Sequence, residues 1–288
     1  MSERVKIIEC PRDAMQGVKS FIPTEIKVEY LKFLLGVGFH TLDFGSFVSP
    51  RAVPQMRDTA KVLNQLDLSD STTELLAIVA NLRGAQAAID FEQIQFIGYP
   101  FSISENFQMR NTHKTISESL QVLEQIKALS DKHNRTLVVY LSMGFGNPYG
   151  DPWSVDIVSK WTDQLAGMGI EIISLSDTVG QAVPEDISYV YSKIIPAYPS
   201  VEFGAHFHTH PNNGYEKLSA AYDAGCQRFD GAIHGFGGCP MASDALLGNM
   251  PTEKLLTFFT EEGINTGIHP TRFESAMNQG KKLFTKYR

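Results

Sequence analysis

Residues 171–208 read EIISLSDTVGQAVPEDISYVYSKIIPAYPSVEFGAHFH. The stretch opens on an apolar run, Glu171–Asp177, and closes on another, Glu202–His208, both short and rich in strand-forming residues. Between them Pro184–Ile195 carries apolar residues three and four apart, the spacing of one helix face. Strand, helix, strand in this order predicts two parallel strands joined by a helical crossover.

The same rhythm extends in both directions. Strand-like runs recur at Val5–Cys10, Thr41–Phe47, Glu74–Ala80, Gln95–Phe101, Thr136–Ser142 and Arg228–Ile233. Helical spacing recurs at Thr24–Leu35, Ile116–Leu129, Trp153–Met168 and Tyr215–Ala224. Eight strands alternating with helices predict an α/β protein, a closed all-parallel TIM (β/α)8 barrel. Gly36, Gly38, Gly167, Gly169 and Gly225 fall where helices give way to strands, at the end of the barrel opposite its chemistry. An open dinucleotide-binding sheet would need a glycine fingerprint after an early strand, and the loop Pro11–Gly17 has none. Beyond the barrel, Phe273, Met277 and Phe284 lie at helical spacing in 270–288, which predicts an extra C-terminal helix packed over it. The reading is one catalytic barrel domain over residues 1–288.

Composition agrees with a globular enzyme and excludes other classes. Hydrophobic residues form 43% of the 288 and charged residues 20%, enough apolar material for a sizeable core. A net charge of −7 argues against a general nucleic-acid binder, whose phosphate contacts need clustered Lys and Arg. Lys19, Arg51, Arg110 and Lys114 follow strand ends and form a candidate patch for a phosphorylated ligand on an otherwise acidic protein. Three cysteines, Cys10, Cys226 and Cys239, are too few for a disulfide framework and point to free thiols in a reducing compartment. No apolar run approaches a membrane span, and Met1–Arg4 leads straight into the first strand without a signal or transit peptide, so a cytoplasmic setting is expected.

In a barrel of this kind the working residues sit at strand C-termini. His206 and His208 are two apart on one strand, so both rings share a face and can reach one metal ion. The first strand delivers Arg12 and Asp13 to the same rim, making Asp13 a third ligand, and the amide oxygen of Asn249 is a candidate fourth. Mixed nitrogen and oxygen ligands with open positions suit Mg²⁺ or Mn²⁺ better than a closed structural zinc site. Blander readings stand beside these: Asp13 as a turn former, and Asn249 as cap of a helix starting near Thr252. Arg12 offers a fixed cation for a developing oxyanion. Cys239, in a glycine-rich stretch able to act as a lid, fits an acid or base, whereas Cys10 and Cys226 read as inert small residues. Asp43 and Asp177, the latter with Thr178, point to the rim too, and Asp177 is equally suited to capping a short turn.

Several stretches together resemble the hydroxymethylglutaryl-CoA lyase family of barrel metallolyases over nearly the full length. They are Glu9-Cys10-Pro11-Arg12-Asp13-Ala14-Met15-Gln16, Ser46-Phe47-Val48-Ser49-Pro50-Arg51, Ser174-Leu175-Ser176-Asp177-Thr178-Val179-Gly180, Ala205-His206-Phe207-His208, Gly237-Gly238-Cys239-Pro240 and Gly248-Asn249-Met250-Pro251. The Ser-Phe-Val-Ser-Pro and Gly-Gly-Cys-Pro runs separate such lyases from the related Claisen-type synthases. The resemblance implies a divalent metal, Mg²⁺ or Mn²⁺, on Asp13, His206, His208 and Asn249. It implies catalytic roles for Cys239, Arg12, His206, Asp177 and Asp43, and substrate contacts from Arg12, Gln16, Lys19, Ser46, Asn111 and Thr178. The implied reaction is retro-Claisen cleavage of hydroxymethylglutaryl-CoA or a related 3-hydroxy-3-methyl-acyl-CoA. The implied assembly is a homodimer whose partner is the small acyl-CoA, with neither nucleic acid nor membrane. The chain departs from the family pattern at Asp43, where Glu is usual, at Val138, where Arg is expected, at Thr209, where Asp is common, and in a Cys239–Asn249 loop one residue longer.

Overall fold

In a computed structural model, described for residues 5–210, 212–238 and 247–287, the predicted alternation closes into a ring. Its first half contains β1 (Lys6–Glu9), α1 (Pro11–Gln16), α2 (Thr24–Leu35), β2 (Thr41–Ser46), α3 (Thr59–Leu63), β3 (Glu74–Ile78), α4 (Leu82–Ile89) and β4 (Ile94–Ser102). Next come α5 (Glu105–Thr112), α6 (Ile116–Lys132), β5 (Thr136–Ser142), α7 (Val155–Gly167), β6 (Ile172–Asp177) and α8 (Pro184–Ala197). The second half ends with β7 (Glu202–Thr209), α9 (Gly214–Asp223), β8 (Arg228–Gly231), β9 (Gly248–Asn249), α10 (Thr252–Glu261) and α11 (Pro270–Tyr287).

Strands β1 to β8 pair in parallel with their sequence neighbours, and β8 pairs with β1, so the sheet has no open edge among them. This is the TIM barrel the spacing predicts, with α11 as the additional C-terminal helix. That helix packs on α2, where Phe284 meets Tyr30 edge-on at 6.3 Å, and on the turn after it, where Phe273 meets Phe39 at 6.3 Å. The large apolar core lies between the outward strand faces and the helices, where Leu42, Phe44, Leu75 and Ile97 are buried. Because both faces are covered, the strands read as nearly continuous apolar runs rather than alternating ones.

Two local differences from the sequence reading bear on the site. The segment after β1 is not a loop but α1, which begins at once because Pro11 occupies its first turn with a backbone angle already suited to a helix. The eighth strand stops at Gly231 rather than Ile233, because His234 turns left-handed (φ 62°) and redirects the chain. After that turn β9 pairs antiparallel with β7, setting Asn249 opposite His208.

Candidate active site

Arg12 and Asp13 leave the first turn of α1 and are nearly buried, 9% and 7% exposed. The Arg12 guanidinium is held by its neighbours: Nε and Nη2 donate to Asp43 Oδ2 at 3.0 and 2.5 Å, and Nη1 donates to Asp13 Oδ1 and Gln16 Oε1, each at 2.9 Å. A guanidinium has five N–H groups, and these contacts engage all but one, on Nη2. Burial works against the Arg12 charge, but Asp43 and Asp13 hold the proton more firmly than usual. Burial pushes the Asp43 carboxyl up to about 6 despite Arg12. Burial also works against ionisation of Asp13, but Arg12 and the two histidines bring it down to about 2.

His206 and His208 come off β7 onto one inward face, their rings 5.3 Å apart. His208 Nδ1 contacts the Thr178 carbonyl at 2.7 Å, which fixes Nδ1 as the protonated nitrogen and turns the lone pair of Nε2 inward. Among the described residues that buried Nε2 has no hydrogen-bond partner. His206 Nδ1 meets Asp230 Oδ2 at 3.0 Å, the carboxylate partner that metal-binding imidazoles commonly have. Burial lowers the pKa of His208, helped by His206, whereas for His206 burial is opposed by the bond to Asp230 and the charges of Asp230 and Asp13, which together raise it. Ligand atoms of Asp13, His206 and His208 lie within 4.8 Å of one another. An orphaned, neutral imidazole nitrogen facing a carboxylate and a second imidazole is a donor set that fits a divalent cation.

A cavity of about 470 Å³ opens over this cluster. Among the residues predicted for the site, Arg12, Asp13, Gln16, Ser46, Asn111, Thr178, His206 and His208 line it. Ser46 faces it because an extra residue bulges β2 between Asp43 and Gly45, which brings Ser46 rather than Gly45 opposite Ile78. A larger cavity of about 720 Å³ opens at the other mouth of the barrel, among Lys6, His40 and Glu202, but the residues just described all converge on the smaller one.

Other predicted residues are placed differently. Asp177 does not join the cavity: Ser176 of β6 faces inward, so its neighbour faces out. Its carboxylate takes Lys217 Nζ at 2.6 Å and the Ala182 amide at 3.1 Å, and Lys217 also donates to the carbonyls of Gly180 and His208. Asn249 reaches the cluster through its amide nitrogen rather than its oxygen, donating to Asp13 Oδ2 at 2.6 Å and to the Phe236 carbonyl at 2.8 Å. It clamps the carboxylate and does not cap a helix, since Pro251 stands at the start of α10. Lys19 lines a neighbouring cavity that shares Gln16 and Gly17. Arg51 and Arg110 are exposed, and Arg110 lies over the Tyr149 ring.

Cys239 lies outside the described residues. The chain leading to it is tightly placed: Gly238 N–H donates to Asp13 Oδ2 at 3.3 Å. At Gly237 (φ 88°) an added Cβ would come within 2.6 Å of the Asp13 carbonyl, so only glycine fits there. Sequence reasoning missed Tyr140, whose ring meets His206 edge-on at 5.6 Å, and Asp230. Counting inward positions from His206 across to β5 and β8 would have found both.

A family model described as HMGL-like matches residues 4–279. The chain belongs to the HMGL-like family. It is 31% identical over 269 residues to a hydroxymethylglutaryl-CoA lyase of Bacillus subtilis, covering 92% of this chain and 88% of that one. It is also 31% identical over 278 residues to an (R)-citramalyl-CoA lyase of Chloroflexus aurantiacus, with coverages of 92% and 86%. An HMG-CoA lyase structure from Acinetobacter baumannii in complex with coenzyme A and 3-methylmalate superimposes with a TM-score of 0.91 at 28% identity, over 98% of this chain and 92% of that one. Within the HMGL-like family this chain is a carbon–carbon lyase. Among the described residues no helix is long and apolar enough to cross a membrane.

Proposed function

We propose that the protein cleaves 3-hydroxy-3-methylglutaryl-CoA to acetoacetate and acetyl-CoA with Mg²⁺ or Mn²⁺ held by Asp13, His206 and His208. The observation that carries this reading is the partnerless His208 Nε2 facing Asp13 beside a caged Arg12, in a chain whose relatives include lyases of that name. When bound, the cation supplies Lewis acidity to the substrate's tertiary hydroxyl and free carboxylate, lowering the alcohol pKa.

Arg12 turns its remaining Nη2 N–H toward the thioester oxygen, where negative charge builds as the carbon–carbon bond breaks. Asp43 keeps that guanidinium rigid, so little reorganisation is needed when the enolate forms. His206, backed by Asp230, takes up and passes on a proton at the cavity floor. Cys239, next to the anchored Gly238, delivers the proton that turns the thioester enolate into acetyl-CoA. Gln16, Ser46, Asn111 and Thr178 position the acyl chain, and Lys19 serves the coenzyme at the adjoining cavity. Asp177 acts through Lys217 and the turn that carries Thr178. The 1–288 chain works as one catalytic domain, and a cytoplasmic homodimer is its proposed setting.

Purified protein given hydroxymethylglutaryl-CoA and Mg²⁺ or Mn²⁺ should release acetoacetate and acetyl-CoA in equal amounts, and no turnover of this substrate rejects the assignment. The similarity to an (R)-citramalyl-CoA lyase favours one second reading, a sister 3-hydroxy-3-methyl-acyl-CoA. Release of pyruvate from citramalyl-CoA at a higher kcat/KM would decide for it.

A further inference from the structure

His206 belongs to two clusters, not one. Besides Asp13 and His208, it lies with Cys10 and Asp230 in a group whose sulfur, nitrogen and oxygen ligand atoms are all within 4.8 Å of one another. Cys10 is 1% exposed at the junction of β1 and α1, and its Sγ makes a 4.0 Å contact to the Ile8 carbonyl. Asp230 is 3% exposed; one carboxylate oxygen binds His206, and the other, Oδ1, is buried with no hydrogen-bond partner among the described residues. A buried carboxylate oxygen with no donor is costly, so a ligand that satisfies it has a ready place.

The two clusters differ in chemistry. The upper one offers oxygen and nitrogen, suited to hard ions. The lower one adds sulfur, which Mg²⁺ ignores and which Zn²⁺ or Cd²⁺ prefers. We propose that Cys10, His206 and Asp230 form a second cation site, selective for thiophilic divalent ions, that shares His206 with the upper cluster; a neutral imidazole has one ring lone pair to give, so the two sites are not filled together. Binding there displaces the thiol proton to solvent and leaves a thiolate–metal bond, with no change of oxidation state. Three protein ligands leave the ion's fourth position for a small ligand such as water. Thiophilic ions then act as inhibitors that compete with the hard ion. The competition rests on the proposed function, whereas the binding rests on the lower triad alone.

The test uses the full-length protein, stripped of metal, with Cys226→Ala and Cys239→Ala so that Cys10 is the remaining thiol. Titration with Cd²⁺ should raise a thiolate-to-cadmium charge-transfer band in the ultraviolet, saturating at one ion per chain. Adding Cys10→Ala, or Cys10→Ser if the first does not fold, should abolish the band. Asp230→Asn should weaken Cd²⁺ binding at least about tenfold, or 1.4 kcal/mol. No band while Cys10 is the remaining thiol overturns the site. Bound Mn²⁺, followed by electron paramagnetic resonance, should be released one for one by Cd²⁺, and in the Cys10→Ala protein this release should need at least about tenfold more Cd²⁺. Mn²⁺ retained beside bound Cd²⁺ overturns the sharing of His206. The band in the variant together with no cleavage of hydroxymethylglutaryl-CoA by the unaltered protein, Cys239 included, rejects only the proposed reaction.

Discussion

The two halves of the barrel interior are built from opposite materials. On the side of β3, β4, β5 and β6 the inward residues include Leu76, Ile78, Phe96, Val138 and Ile172, packed into a small apolar cluster with Tyr140. On the side of β7, β8, β1 and β2 they include His206, His208, Asp230, Cys10 and Asp43. The apolar half supplies close packing and a dry wall for the cavity; the polar half supplies the ionisable groups of the candidate site. Buried charge is tolerated there only because it is paired, Arg12 with Asp43 and His206 with Asp230. The contrast separates two costs: a change in one half should cost stability, and a change in the other should cost chemistry.

The sharpest way to break that division is Asp13→Ala. Turnover should fall by about 1000-fold or more, roughly 4 kcal/mol of transition-state stabilisation, measured as kcat/KM at saturating metal. A fall of less than tenfold would remove Asp13 from the chemistry. In the apolar half, Leu76→Ala should lower unfolding free energy by about 2–5 kcal/mol in urea melts while the folded fraction keeps its metal affinity. Asp230→Asn should reduce Mn²⁺ affinity about 10- to 100-fold with only a small change in melting temperature, and loss of the fold instead would make Asp230 structural.

An effect of another kind, on stability against pH, is expected behind the site, at Glu9. Its carboxyl, fully buried on the outer face of β1, accepts from the Ile233 amide at 2.9 Å and the Thr252 hydroxyl at 2.5 Å. Burial raises it from 4.5 to about 8. A raised pKa means the folded protein binds the proton more tightly than the unfolded chain. The associated stability is therefore complete below pH 4.5 and is lost as pH rises through about 8. Glu9→Gln, which is always neutral, should flatten stability against pH in that window, and an unchanged slope would exclude Glu9 as its source.

The strands were legible because each is a short apolar run set off by glycine or polar turns, and in a covered parallel sheet such runs need no alternation to be recognised. The same property hid the interior: where both faces are apolar, nothing in the sequence marks which residue points in. Asp177 therefore looked like a rim residue although it faces α9, and Asp230 and Tyr140 passed unnoticed. The first helix was obscured because Arg12 and Asp13 break its apolar pattern for the sake of the site. His206, His208, Arg12 and Asp13 could be read because their chemistry is unusual at strand ends. The orientation of the Asn249 amide, by contrast, depends on Phe236 and Asp13, neighbours far off in the chain.

The short strand β9 brings Asn249 against His208 and Asp13, although Asn249 and Asp13 are 236 residues apart. Loop closure over such a separation is paid late in folding, after the intervening strands have paired. The Asp13–His206–His208 cluster is then among the last parts of the molecule to be completed, and an unfinished barrel holds no clamped Asp13. Acquisition of metal by a refolding chain would report closure of the whole ring rather than formation of any one strand.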